Sequence, residues 1–420
     1  MFTSFSAALS ALSAHSTAVD VVGNNLANLN TPGYKTSTVS FRDLVTQSLG
    51  AGLGETQVGF GTGRPFTTRQ FTQGAIQGST GLLDAAIQGD GFFILRDNLN
   101  STLYTRAGNF QVDDLGYLMT MTGERVQGWM EGPDGTVNPT GAIADIVVPV
   151  GTLKTPIATK NFSIDLNLNA AAVAGQQNAK CSAPMKVVDS LGRTHVLTVT
   201  FTKSATANEW DYEVTIPDAD LATPPDPPVP LATGTVSFDE DGKLLTPNAS
   251  SPTVDVNISG LASGASDMNL KWSLYNEQGV ARVTQFDEPS QVSANAQDGS
   301  TSASLTKVGL ADGGKIVAQY SNGQQRIVGQ VALASIRNAE SLIAMGNNNF
   351  QASAKTALPA IGVPETGGRG KILGGALEAS TVDIAREFTN LIVFQRGYQA
   401  NSRVVTAADE LSQETINLKR

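Results

Sequence analysis

The 420-residue sequence has one cysteine, Cys181, and two histidines, His15 and His195. A single thiol excludes an internal disulfide framework and any cysteine-based structural zinc site. One histidine lies on a helical stripe and the other opens a strand, so both are assigned structural or solvated roles. Charge is also scarce: only 16 % of residues are charged, and the net charge is -10. Without clustered Lys and Arg the chain lacks the electrostatic footprint of a nucleic-acid binder. No apolar run reaches the eighteen or so residues a membrane helix needs, so no membrane insertion is expected. No Lys or Arg precedes Lys35, which removes the basic region of a cleavable secretory signal. If the protein works outside the cell, it leaves through an apparatus that reads an uncleaved N-terminus.

Chemistry is equally hard to find. The glycines between Gly50 and Gly63 are followed by no Gly-Lys-Ser/Thr, which argues against a phosphate loop. Asp239-Glu240-Asp241-Gly242-Lys243 lacks the ligand spacing and closing Glu of a calcium loop and reads as a β-turn. No nucleophile-elbow pattern occurs, and pairs such as Asp113-Asp114 lie in turn sequences. No residue is assigned as catalytic, cofactor-binding or metal-ligating, and no cofactor is expected.

Glycine (42 residues) and the uncharged polar residues are abundant, the composition of a β-rich surface or extracellular protein. The length predicts two to four domains. The two ends differ from the middle. Thr381 to Leu418 holds no proline and a single glycine, Gly397. Its apolar residues fall at Ile384, Phe388, Leu391, Tyr398 and Val405, then shift to Val404, Ala408, Leu411 and Leu418, the spacing of a helix with one buried stripe. At the other end Phe5, Leu12, Val19 and Leu26 are seven apart, with Ala8, His15, Val22 and Leu29 between them, which describes a coiled-coil seam. One reading is a terminal helix packed on its own core. The other pairs the two long helices with each other and with neighbouring subunits.

The first helix is expected to stop near Asn30, where Thr31-Pro32-Gly33-Tyr34 turns the chain. Residues 36–77 read as an extended, partly irregular connector. Short strands follow from Gly81: a turn at Gly89-Asp90-Gly91, a buried run Phe92 to Leu95, and a turn at Asp113 to Gly116. Beyond Pro149 the strands alternate, as in Val196 to Phe201 and Trp210, Tyr212, Val214 and Ile216, implying sheets buried on one face. Pro217 to Pro230 is a stiff exposed loop. From about Thr284 the chain is expected to return to the earlier domain, with a hairpin at Ser321-Asn322-Gly323.

Three segments carry a resemblance. Asn24-Asn25-Leu26-Ala27-Asn28-Leu29-Asn30-Thr31-Pro32-Gly33-Tyr34-Lys35 closely resembles the N-terminal motif of the rod and hook axial proteins of the bacterial flagellum. Gly375 to Asp383 is similar to that family's approach to its last helix, with Thr381 where Asn is usual. Phe394 to Arg403 resembles its central motif, with Gly397 where Ala is common. The strand segments around Gly89 and Phe110 also match, and together the motifs cover about half the chain.

The resemblance implies an α+β fold in which long N- and C-terminal helices form a coiled-coil core. Two mainly antiparallel β-domains follow outward, the second inserted in the first. The expected division is 1–77 with 361–420 as the helical core, 78–148 with 284–360 as the first β-domain, and 149–283 as the inserted one. The insertion points to a hook-type subunit that self-assembles into a curved tube, a flexible joint carrying torque from rod to filament. A distal rod-type protein with an enlarged outer domain is the alternative within the family, and a secreted β-rich adhesin or carbohydrate-acting enzyme the alternative outside it. Expected partners are other copies, rod proteins, hook cap and hook–filament junction proteins and the export apparatus. The expected subunit-interface residues are Phe5, Leu12, Val19, Val22, Leu26, Asn28, Asn30, Thr31, Pro32, Gly33 and Tyr34 at one end, and Ile384, Phe388, Leu391, Gln395, Arg396, Tyr398, Asn401, Val405 and Leu411 at the other.

Overall fold

The computed structural model describes residues 2–44, 46–49, 56–132 and 135–417; Leu418 of the C-terminal stripe lies outside them. Two compact units result: Met1–Val150 with Thr306–Gln319 and Gln325–Arg420, and Gly151–Leu305 with Tyr320–Gln324.

The first unit holds both helices, α1 (Phe2–Ala27) and α2 (Ile384–Asn417). Helix α1 ends three residues before the expected Asn30. Its last turn tightens, with Asn28 N–H donating to Asn25 O at 3.0 Å and Leu29 N–H to Leu26 O at 3.3 Å, the short-range pattern common at helix ends. Helix α2 starts sharply because the Asp383 carboxylate accepts the N–H groups of Ala385 (2.9 Å) and Arg386 (3.2 Å), an N-cap that also places negative charge at the positive helix end.

Between the helices the described chain is strands joined by turns, loops and single turns of 3-10 helix. The described part of the connector holds two short paired ribbons between irregular stretches. Ser37–Ser40 runs antiparallel to Phe66–Arg69, and Thr46–Leu49 to Thr56–Gly59; β-branched Thr38, Val39, Thr67 and Thr68 suit the first of these pleated ribbons. Ile76–Gly78 then pairs with Ala376–Glu378, and Ala85–Gln88 with Lys371–Gly374, so the outgoing and returning chains run side by side. The main sheet orders Lys315–Tyr320, Gln325–Val331, Arg125–Met130, Phe92–Arg96, Thr102–Thr105, Asn349–Gln351 and Ile343–Gly346. Its core gathers Phe92, Ile94, Tyr104, Trp129 and Phe350, with Phe71 edge-on to Phe92 and Phe350 at 5.6 and 5.3 Å.

The second unit packs two five-stranded sheets face to face. One orders Lys180–Val188, Thr194–Lys203, Glu209–Thr215, Ala232–Phe238 and Leu244–Thr246. The other orders Thr253–Ile258, Met268–Ser273, Asn161–Asn169 and Val283–Phe286, with Gln291–Gln297 on the remaining side of Asn161–Asn169. Buried and exposed residues alternate along Trp210–Val214 as the sequence predicts, and along Lys180–Lys186 as well. Two features differ. Asn161–Asn169 pairs in parallel with Met268–Ser273 and Val283–Phe286. The unit also extends past 283, because Val283–Phe286 and Gln291–Gln297 both pair with Asn161–Asn169, holding the chain there until Leu305. The Asp239 carboxylate accepts the N–H groups of Asp241 and Lys243 at 3.0 and 2.8 Å, so that acidic segment is a turn.

Candidate functional site at the junction of the chain ends

The recognised motifs of both termini converge in the first unit. Gly33 has φ +69°, and a β-carbon there would come within 2.6 Å of the Arg106 backbone; only glycine meets both demands. This turn delivers Tyr34 and Lys35 inward. Lys35 is fully buried, its ammonium 2.5 Å from Glu378 Oε1 and 2.6 Å from Thr72 O. The other oxygen of Glu378 takes Arg106 Nη1 at 3.2 Å, while Gly74 N–H donates to Oε1 at 2.8 Å. Arg106 Nη2 donates to Gly89 O at 2.8 Å. One buried carboxylate therefore faces two buried cations, and of the Arg106 nitrogens only Nε lacks a hydrogen-bond partner, close to the condition under which buried charge is tolerated. Burial pushes the Lys35 amine below its ordinary value, and Glu378 opposes that shift.

A second polar cluster lies one turn up α1. Asn25, 1 % exposed, donates to Ser37 O (2.8 Å) and Glu387 Oε2 (3.2 Å), and accepts from Ser37 N–H (3.0 Å) and the Tyr34 hydroxyl (3.2 Å). Both donors and both lone pairs are used. Burial raises the Tyr34 phenol above its usual range. Thr381, where the family usually has Asn, accepts Thr36 N–H at 2.9 Å and donates its own N–H to Tyr34 O at 3.1 Å. The motifs thus tie the end of α1 to the start of α2 by backbone, amide and ion-pair contacts. Beside them a cleft of ≈ 420 Å³ is lined by Ser37, Thr38, Gln70, Asp383, Arg386 and Glu387, among others.

Along the helix pair the packing is close. The His15 ring lies 6.2 Å from Phe394 and 5.3 Å from Phe41, centroid to centroid. A β-carbon at Gly397 would sit 2.5 Å from His15 Cε1, so the glycine leaves room for the imidazole. The positions of α1 that are buried are Ala8, Ala14, Ala18, Val22 and Asn25. Of the expected interface residues only Val22, Gly33 and Tyr34 are buried within the chain. Leu12, Val19, Leu26, Asn28, Thr31, Pro32, Leu391, Asn401 and Val405 are half-buried. Phe5, Asn30, Ile384, Phe388, Gln395, Arg396, Tyr398 and Leu411 are exposed. The stripe read from the sequence is therefore mostly the side that α1 and α2 leave uncovered. Lys35, Glu378, Arg106 and Glu387 were not singled out, because the sequence gives no sign that residues so far apart meet.

One constellation in the second unit has the residue types of an acid–base site. His195 Nε2 is 3.1 Å from Asp189 Oδ2, and its Nδ1 is 3.3 Å from Asp220. Ser263, however, donates to Asp189 at 2.7 Å and not to the imidazole, so the histidine does not face the hydroxyl as a nucleophile–base pair requires. Asp189 and His195 are buried and bind turn and strand together.

Comparison with known proteins follows the same division. The chain matches the family models described as Flagella basal body rod protein (residues 5–35), Flagellar hook protein FlgE/F/G D1 domain (86–167), Flagellar basal body protein FlaE D2 domain (166–300) and Flagellar basal body rod FlgEFG protein C-terminal (373–418). It is 32 % identical to the flagellar hook protein FlgE of Borreliella burgdorferi over the whole of both chains. It is also 32 % identical to that of Salmonella typhimurium, over 99 % of this chain and 100 % of the relative. The crystal structure of Helicobacter pylori flagellar hook protein FlgE2 shares the fold, with a TM-score of 0.54 at 15 % identity, covering 72 % of this chain and 100 % of that one. Full-length identity to hook proteins, with termini joined by the motifs that carried the first resemblance, places the chain in the flagellar hook protein family.

Proposed function

We propose that the chain is the repeating subunit of a curved helical tube, the flexible joint that carries torque between rod and filament, and that it has no catalytic role. On this reading α1 and α2 form a coiled-coil core with neighbouring copies, and residues 151–305 are a domain inserted in the first β-domain. Rod, cap and junction proteins are its other partners, and export proceeds without a cleaved signal. The supporting observation is the uncovered apolar surface of α2. Phe388, Ile392, Val393 and Leu411 are 51, 57, 57 and 57 % exposed, and Phe5 and Leu9 of α1 are 39 and 55 % exposed. A ridge of this kind on paired helices marks a surface that other chains cover. The expected interface is accordingly Phe5, Ile384, Phe388, Tyr398 and Leu411, flanked by the half-buried Leu12, Val19, Leu391 and Val405.

The test is Phe388→Asp in the full chain. A charge buried without a partner costs several kcal/mol. Electron microscopy under polymerising conditions is expected to show tubes from wild type and none from the variant, whose strand content by circular dichroism is unchanged. Normal tubes from the variant would falsify the assignment of this ridge.

A further inference from the structure

Among the described residues the first unit buries three glutamates, and they are held differently. Glu378 faces the cations Lys35 and Arg106. Glu124 accepts the hydroxyls of Thr120 and Thr122 and the Asn349 amide. Glu387, 4 % exposed, accepts one hydrogen bond, from the Asn25 amide to Oε2 at 3.2 Å. Its Oε1 has no hydrogen bond, and its charge no ion pair, among the described residues. A buried carboxylate in that state is costly unless a cation reaches it.

Glu387 lines the ≈ 420 Å³ cleft beside the junction, so its open valence can be met from outside the chain. Gln70 gives its amide N–H to the Thr38 hydroxyl at 3.3 Å, which leaves its carbonyl oxygen as an acceptor in the same cleft. Asn390, one turn along α2, and the Asp383 carboxylate add further oxygens, while Val21, Val39 and Phe394 supply apolar wall. This lining serves a bare metal ion poorly. No group of three His, Cys, Asp or Glu able to hold one occurs among the described residues, and apolar wall offers it no ligand. An alkylammonium uses every part: its N–H groups suit the oxygens, and its methylenes suit the valines and the ring. Arg386, the one cation of the lining, is exposed and has no ion pair among the described residues.

We propose that this cleft binds a primary alkylammonium group, with Glu387 as its counter-charge and Gln70 and Asn390 as hydrogen-bond acceptors. A free polyamine and the lysine side chain of a polypeptide both carry that group, three N–H donors on a methylene stem. The site does not depend on the tube reading. Because α1, the connector and α2 all line the cleft, an occupant ties the three together where the helices are set.

The experiment titrates the full-length chain by calorimetry with putrescine, with Nα-acetyl-lysinamide, and with butanediol as the uncharged control. Both amines are expected to bind at a single site and butanediol not to bind. Glu387→Gln keeps an acceptor for Asn25 and removes the charge. It is expected to weaken the amines about tenfold or more, the worth of a charge-assisted hydrogen bond. Asn390→Asp adds a carboxylate to the lining and is expected to tighten them several-fold, which keeps the test open if Glu387→Gln does not fold. Tighter binding of the lysinamide assigns the group to a lysine side chain, and tighter binding of putrescine assigns it to a free polyamine. No binding of either amine, equal binding of butanediol, or an affinity unchanged in every variant that folds overturns the proposal.

Discussion

The second unit completes its core and the helices of the first do not. In the former, Trp210, Trp272, Phe162 and Phe201 are at most 2 % exposed, and Trp272 has Phe201 and Tyr212 edge-on at 6.0 and 5.3 Å. In the latter, α1 and α2 bury alanines, one valine and polar groups against each other, while their phenylalanines, isoleucines and leucines remain largely uncovered. A closed aromatic core gains its stability from apolar area within one chain. The helix pair is fastened instead at its base by ions and amides, which fix geometry more than they lower free energy. On the function proposed above, the contrast separates a unit that is finished when the chain folds from one whose core is finished by association.

The largest way to break that contrast is Glu378→Gln. It leaves Lys35 and Arg106 buried without a counter-charge, a change that costs about 3–5 kcal/mol when one member of a buried pair is removed. Urea unfolding followed by hydrogen exchange is expected to show the junction loosened and the second unit's strands unmoved. Equal loss in both units would show that they are not separately stabilised.

A smaller effect sharpens the other side. Burial raises the Asp189 carboxyl, but hydrogen bonds from Ser263, His195 and the N–H groups of Arg193 and Leu191 outweigh it and hold it below the ordinary value. The unfolded chain therefore binds this proton more readily than the folded one. Its stabilising contribution is complete above about pH 3.9 and lost as pH falls through the lower folded value. That contribution is expected to disappear from the second unit over that window. Asp189→Asn is expected to flatten the dependence of the urea midpoint on pH there; an unchanged slope refutes the assignment.

The smallest effect concerns Gly397. Alanine in a helix interior is favoured over glycine by about 1 kcal/mol, but here the added carbon meets the His15 ring. Gly397→Ala is expected to gain that amount only when His15→Ala is already present. A thermal double-mutant cycle should therefore be non-additive by at least about 0.5 kcal/mol. Additivity would show that ring and glycine are not coupled.

What the sequence made legible follows from periodicity. The alternation at Lys180–Lys186 and Trp210–Val214 has period two and a fully closed core behind it, so pattern and burial coincide. The length of α2 was readable because proline is absent from it. The face that α1 turns to α2 was not readable. A heptad reading selects the large residues Phe5, Leu12, Val19 and Leu26 with Ala8 and Val22 between them; of these only Ala8 and Val22 are buried, and Ala14 and Ala18, outside the heptads, complete the buried face. The extent of the second unit was missed because Gln291–Gln297 is polar and almost wholly exposed; only its pairing with Asn161–Asn169 places it. Lys35 and Glu378 were quoted inside motifs, yet their contact could not be read, since a charged residue in isolation is most often solvated.

Lys35 and Glu378 are 343 positions apart, and this makes their contact a test of length. A chain that stops short of Glu378 still contains every strand of the second unit and of the main sheet, the last being Ala360–Gly362. It cannot neutralise Lys35 and Arg106, so its first turn stays unseated and α1 has no fixed base. The carboxylate that closes the junction thus reports that the chain extends to residue 378, and chains cut before it are barred from presenting a correctly set pair of helices.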